Sequence, residues 1–237
     1  HVSARVFAAL IPQLMSAGAA ANVISKVADA ISEELRHGRQ CAAVVTALGG
    51  EAIAEIGHLA EVPLHEDAGP VEAVLRNILS ISCLSETVAV ALIGAERLRA
   101  GVDGIETTLA GILSDEVRHA RVGWSVVEDL APKLDAATRD RLDRYLVVAF
   151  RHLLAHELAH LPSGPPPSAA AESVGVCDGR EGRTLFFDAV EQVIVARLGA
   201  LGFAADPAWQ EAGGAALART HRDGNLCAVA PLQAASA

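Results

Sequence analysis

The chain has 237 residues, is 51% hydrophobic, and carries 19 Lys and Arg against 29 Asp and Glu, for a formal charge of −10. That is enough chain to bury a full core. The missing Lys/Arg block argues against nucleic acid or an anionic membrane surface as partners. No run of eighteen apolar residues suggests a membrane span, so a soluble globular protein is expected.

Apolar residues recur at spacings of three and four, and Phe, Trp and Tyr together make up only 3%, so the chain reads as nearly all helix. A first helix is expected from about Ser3 to Ala17, with Pro12 as a kink, and a second from about Ala20 to Leu48, stopped by Gly49-Gly50. Residues 51–69 read as a connection containing Pro63 and Gly69. A third helix is expected over Pro70–Ala100 and a fourth over Val102–Leu130, ending near Pro132. Two hairpins joined by a longer crossover form a four-helix bundle of the ferritin-like arrangement over residues 1–134. A fifth helix (Ala136–Leu161), a Pro-rich break (Pro162–Pro167), a sixth helix (Glu181–Leu201) and a short terminal one (Pro207–Arg219) form a C-terminal helical extension, residues 135–237, expected to pack on the bundle.

The second and fourth helices share a repeated segment. Ser32-Glu33-Glu34-Leu35-Arg36-His37-Gly38-Arg39 returns as Ser114-Asp115-Glu116-Val117-Arg118-His119-Ala120-Arg121. Each copy holds Glu-x-x-His, and residues three apart project from one helix face. These pairs fall in apolar seams: Ile24, Val27, Ile31, Glu34, His37, Cys41, Val45 and Leu48 on the second helix, and Ile105, Leu109, Ile112, Glu116, His119, Gly123, Val126 and Leu130 on the fourth. The third helix has the same pattern in Leu75, Leu79, Ser82, Glu86, Ala89 and Ile93. An unpaired buried carboxylate costs several kcal/mol, so it persists only if paired, neutralised or bound to a cation. Oxygen and imidazole donors without thiolate suit iron or manganese. The competing reading is a duplicated hairpin whose buried polar cluster is structural, neutralised by Arg36 and Arg118.

At these residues the chain resembles the ferritin-like di-iron carboxylate superfamily, whose soluble desaturases carry paired acidic-Glu-x-Arg-His motifs. More narrowly, His1-Val2-Ser3 leading into Phe7-Ala8, with Leu14 and Gly18 following, is similar to the opening helix of a group of uncharacterised bacterial ferritin-like domain proteins. The resemblance covers about residues 1–130. It implies Glu34, His37, Glu86, Glu116 and His119 as ligands of two iron ions, alternatively a manganese–iron or manganese pair. Glu33 and Asp115 would orient the imidazoles from outside, and Arg36 and Arg118 would be their counter-charges. The group's first ligand, a Glu on the opening helix, would stand immediately before His1: either it was left out of this chain, which is expected to begin inside a longer gene product, or the protein lacks it and its site is crippled.

The implied chemistry is dioxygen activation, with a small organic substrate oxidised at the centre. The alternatives are a ferroxidase or iron-handling protein, and a metal-poor ferritin-like subunit of a homo-oligomer or larger assembly. The one tyrosine, Tyr145, lies outside the four helices, which disfavours a radical role. His156-Glu157-Leu158-Ala159-His160 matches the zinc-protease pattern His-Glu-x-x-His, but it is short, lacks a third ligand and is ended by Pro162; an ordinary histidine face is expected. The four cysteines, Cys41, Cys83, Cys177 and Cys227, form no Cys-x-x-Cys pair. The compartment stays open, with the cytoplasm slightly favoured.

Overall fold

The computed structural model describes residues 2–53 and 61–224. Among them the chain is all helical, with nine helices and no strand. Four are long or central: α1 (Val2–Ser16), α2 (Ala21–Ala47), α3 (Pro70–Arg99) and α4 (Asp103–Leu130). Each packs on two of the others: α1 on α2 and α3, and α4 on α2 and α3. A single apolar core joins them, from Phe7, Leu10 and Leu14 through Leu75, Ile78 and Leu79 to Trp124 and Val127.

The other five helices are α5 (Ala136–His160), α6 (Ala169–Glu172), α7 (residues 179–200), α8 (Ala205–Glu211) and α9 (Gly214–Arg222). α5 lies on the first half of α3, where buried Glu72 takes Arg76 at 2.6 Å and Arg141 at 2.8 Å. α7 lies on its second half. Phe150, Phe186, Phe187 and Trp209 extend the same core into this layer. The expected terminal helix is two helices. Gly213 has φ +89°, a left-handed conformation that glycine adopts freely, and Gly214 sits under Trp209, where a Cβ would fall 2.3 Å from the indole.

α3 has the length and composition of a membrane-crossing helix. Here α1, α4, α5 and α7 take up its faces and it carries buried Glu72 and Glu86, as suits the core helix of a helical protein. It is not uniformly α-helical: Leu79–Ser85 is π-helical, and the Glu86 N–H donates to the Ile81 carbonyl five residues back. Such wide turns re-aim the residues that follow and cluster at functional positions. A second π segment, Ala189–Val195, packs against it from α7.

One part of the expected seams is not core. Beyond His37 on α2, Cys41 is exposed, Val45 is 40% exposed and Leu48 is 57% exposed. The C-terminal layer packs on α3 rather than α2, so this end of α2 takes no cover from that layer among the described residues. Periodicity marks the face that seeks cover but cannot say which element supplies it.

Candidate metal centre

The register between α3 and α4 is set by one close approach. Gly123 lies against Ser82, where a Cβ would stand 2.3 Å from the serine Cβ. One residue on, the Trp124 indole donates to Thr87 Oγ1 at 3.0 Å. Together with the π segment this brings Glu86 to Glu116. Across the core, the antiparallel pairing of α2 and α4 sets the two copies of the repeat face to face.

Glu34, Glu86, Glu116 and His119 each offer a ligand atom, and these atoms lie within 4.8 Å of one another. Glu116 Oε2 is 2.9 Å and Glu34 Oε1 3.3 Å from His119 Nδ1. The other oxygens turn to the second imidazole: Glu116 Oε1 is 3.2 Å and Glu34 Oε2 3.8 Å from His37 Nδ1. Each of these two carboxylates thus spans both imidazoles, whose ring centroids are 6.2 Å apart. Four of the five residues expected as ligands thus form one group, and His37 adjoins it through Glu34 and Glu116.

The outer nitrogens are held crosswise. His37 Nε2 on α2 donates to Asp115 Oδ2 on α4 at 2.9 Å, and His119 Nε2 on α4 donates to Glu33 Oε2 on α2 at 2.8 Å. This anchors each Nε2 as a proton donor and turns each Nδ1 inward, where it would be free to bind a cation once its own proton is displaced, the arrangement metal-binding histidines adopt. Arg36 pairs with Asp115. Arg118 pairs with Asp115 and also reaches Glu33 Oε1 at 2.5 Å.

The ion-free cluster balances its charge with protons. Burial opposes the His37 imidazolium, but Glu116, Glu34 and Asp115 outweigh it and carry its pKa up to about 10. His119 is likewise opposed by burial and carried to about 10 by Glu116, Glu34 and Glu33. Burial would raise Glu116 and Glu34, yet the two imidazoles pull Glu116 well below the usual carboxylate range and Glu34 below its ordinary value. Glu86 goes the other way: burial, then neighbouring Glu116 and Glu34, raise its pKa well above the ordinary value. A divalent ion can replace such protons with coordinate bonds. His37 Nδ1 is buried and has no hydrogen-bond partner, so the donor set fits a cation on geometry as well as charge.

The fit is uneven. Around His119 stand Glu34, Glu86 and Glu116, whereas around His37, among the described residues, only Glu34 and Glu116 supply inward oxygens. α1 brings no acidic residue to the centre among the described residues. Phe7 instead packs on the His119 ring at 5.1 Å between centroids. The glutamate expected immediately before His1 lies outside the described residues, as does Cys227. Sequence reading overlooked Phe7 and the Ser82–Gly123 contact; the apolar pattern of the first helix was the available sign for Phe7.

Other candidates lie elsewhere. His152, His156 and His160 are exposed on α5, His160 Nδ1 donates to the His156 carbonyl at 2.6 Å, and among the described residues they belong to no group whose donor atoms converge on one point. Tyr145 hydrogen-bonds Ser80 at 2.9 Å beneath the π segment of α3, and its hydroxyl pKa is raised by burial. Trp124 is core, with Arg197 over its ring at 4.4 Å.

No family model matches the chain, and no curated protein or solved structure matches it either.

Proposed function

We propose that α1 to α4 form a ferritin-like bundle and that the protein is a dinuclear carboxylate oxidoreductase. In this reading it activates dioxygen to oxidise a small organic substrate. The carrying observation is the pair of carboxylates, Glu34 and Glu116, each facing both inward imidazole nitrogens. Two carboxylates placed between two imidazoles suit two ions better than one. The order of helix contacts, with α1 and α4 each touching α2 and α3, supports the bundle assignment.

Two bound iron ions, or a manganese-containing pair, would supply the electrons for dioxygen reduction. The chain's own residues do the rest. Glu34 and Glu116 fix the spacing, Glu86 completes the donor set beside His119, and Asp115 and Glu33 hold the imidazoles in one tautomer. The second reading is a ferroxidase; the acidic donors favour it equally, but the hundred residues of accessory layer on α3 favour the substrate oxidase.

The test is elemental analysis and anaerobic ferrous titration followed by exposure to oxygen. Two irons per chain with rapid oxygen uptake are expected. Zinc alone, or no retained metal, would sink the proposal and leave the cluster a structural charge network.

A further inference from the structure

The second copy of the repeat borders a cleft on its outer side. Between α2 and α4 lies an opening of about 420 Å³ walled by Lys26, Asp29 and Glu33 from α2 and by Arg118, Arg121 and Ser125 from α4, with His119 at its floor. The spacings of three and four on each helix put each trio on one face. Three cations, among them one of the chain's two lysines, line it together with the carboxylates of Asp29 and Glu33. Arg118 is committed to Glu33 and Asp115. Lys26 and Arg121 are exposed and form no ion pair among the described residues.

We propose that this cleft binds a small oxyanion, a carboxylate or a phosphate, between Lys26 and Arg121, and that its occupant acts on the candidate centre through Arg118. Two uncommitted cations on opposite walls, with the Ser125 hydroxyl beside them, match an acceptor-rich anion, and a guanidinium fork suits either oxyanion. The coupling follows from what Arg118 holds. Its side chain is 49% exposed, so an anion in the cleft can reach it. Its inner contacts are the two carboxylates that fix the imidazoles: Glu33 on His119 and Asp115 on His37. Arg36, by contrast, pairs among the described residues with Asp115 alone. An anion that draws the Arg118 guanidinium outward loosens it from Glu33 and changes the hydrogen bond that Glu33 accepts from His119. The anion site stands on its own residues; only its regulatory meaning rests on the reading of His119 as a ligand.

The experiment uses the full chain without metal, so its outcome is separate from that of the metal titration. Calorimetry with inorganic phosphate and with succinate is expected to show one of them binding with a Kd below about 1 mM, weakened at least about tenfold in Lys26→Ala/Arg121→Ala. The tighter of the two identifies the class of anion. Failure of both to bind, or equal binding by the double variant, overturns the site. Nitrogen NMR of the imidazoles tests the coupling: the His119 Nε2 signal should move when the anion binds to the native chain and stay still in Arg118→Ala. A His119 signal that ignores a bound anion overturns the coupling.

Discussion

The two copies of the repeated segment differ little in sequence and considerably in surroundings. His119 is almost fully enclosed, its side chain 2% exposed, with Phe7 on its face and Glu86 beside its inward nitrogen. His37 is 8% exposed, takes no aromatic cover from the described residues of α1, and its inward nitrogen lies 3.2 Å from Glu116 Oε1 without a hydrogen bond. Among the described residues the same Glu-x-x-His thus makes a crowded position on α4 and a less crowded one on α2. A ligand motif gives direction to two side chains, while the neighbouring helices decide how many donors meet them.

The largest effect that can break this comparison is Glu116→Ala. Glu116 is the closest carboxylate to both inward nitrogens, so its loss is expected to remove most bound metal from both positions. Metal content after desalting checks this; a variant that retains as much iron as the native chain refutes the centre. Phe7→Ala should cost about 3–5 kcal/mol, as for deletion of a buried aromatic, seen in denaturant unfolding, and should disturb the His119 copy more than the His37 copy.

Finer substitutions sharpen the difference. In a stepwise cobalt titration followed by visible absorption, His37→Ala should leave the tighter of two binding steps and His119→Ala should remove it. Asp115 accepts from His37, Arg36 and Arg118, whereas Glu33 accepts from His119 and Arg118. Asp115→Asn is therefore expected to weaken metal binding about 10- to 100-fold, and Glu33→Gln towards the lower end of that range. The smallest effect concerns a property the copies share. Both imidazoles have pKa values of about 10 in the ion-free fold against an ordinary 6.5. Their contribution to stability is complete below pH 6.5 and is lost as pH rises through 10. The melting temperature of metal-free protein should fall over that window, and fall less in His37→Gln.

Much of the helical layout was legible in advance because glycine and proline punctuate it. Gly49-Gly50 follows α2, Pro70 opens α3, Gly101 separates α3 from α4, and Asp135 caps α5 by accepting the Thr138 N–H at 2.6 Å. The meeting of Glu34, Glu86 and Glu116 was legible because a carboxylate in an apolar seam needs a partner. The exposure of Cys41, Val45 and Leu48 was not, since it depends on which helices pack on that end of α2. Nor was the π segment before Glu86, since Leu79-Ser80-Ile81-Ser82-Cys83-Leu84-Ser85 has the apolar spacing of an ordinary helix.

The amino-acid sequence by itself determined that this protein is helical, where its long helices begin and end, and which side chains project together from each, because those follow from backbone preference and the 3.6-residue turn. Only the tertiary structure decided that Glu33 would hold His119 and Asp115 would hold His37, that Arg118 would join both, and that one imidazole would be better supplied with donors than the other. Those outcomes depend on the register and coverage of packed helices, set by contacts such as Gly123 on Ser82 and Phe7 on His119 between residues far apart in the chain.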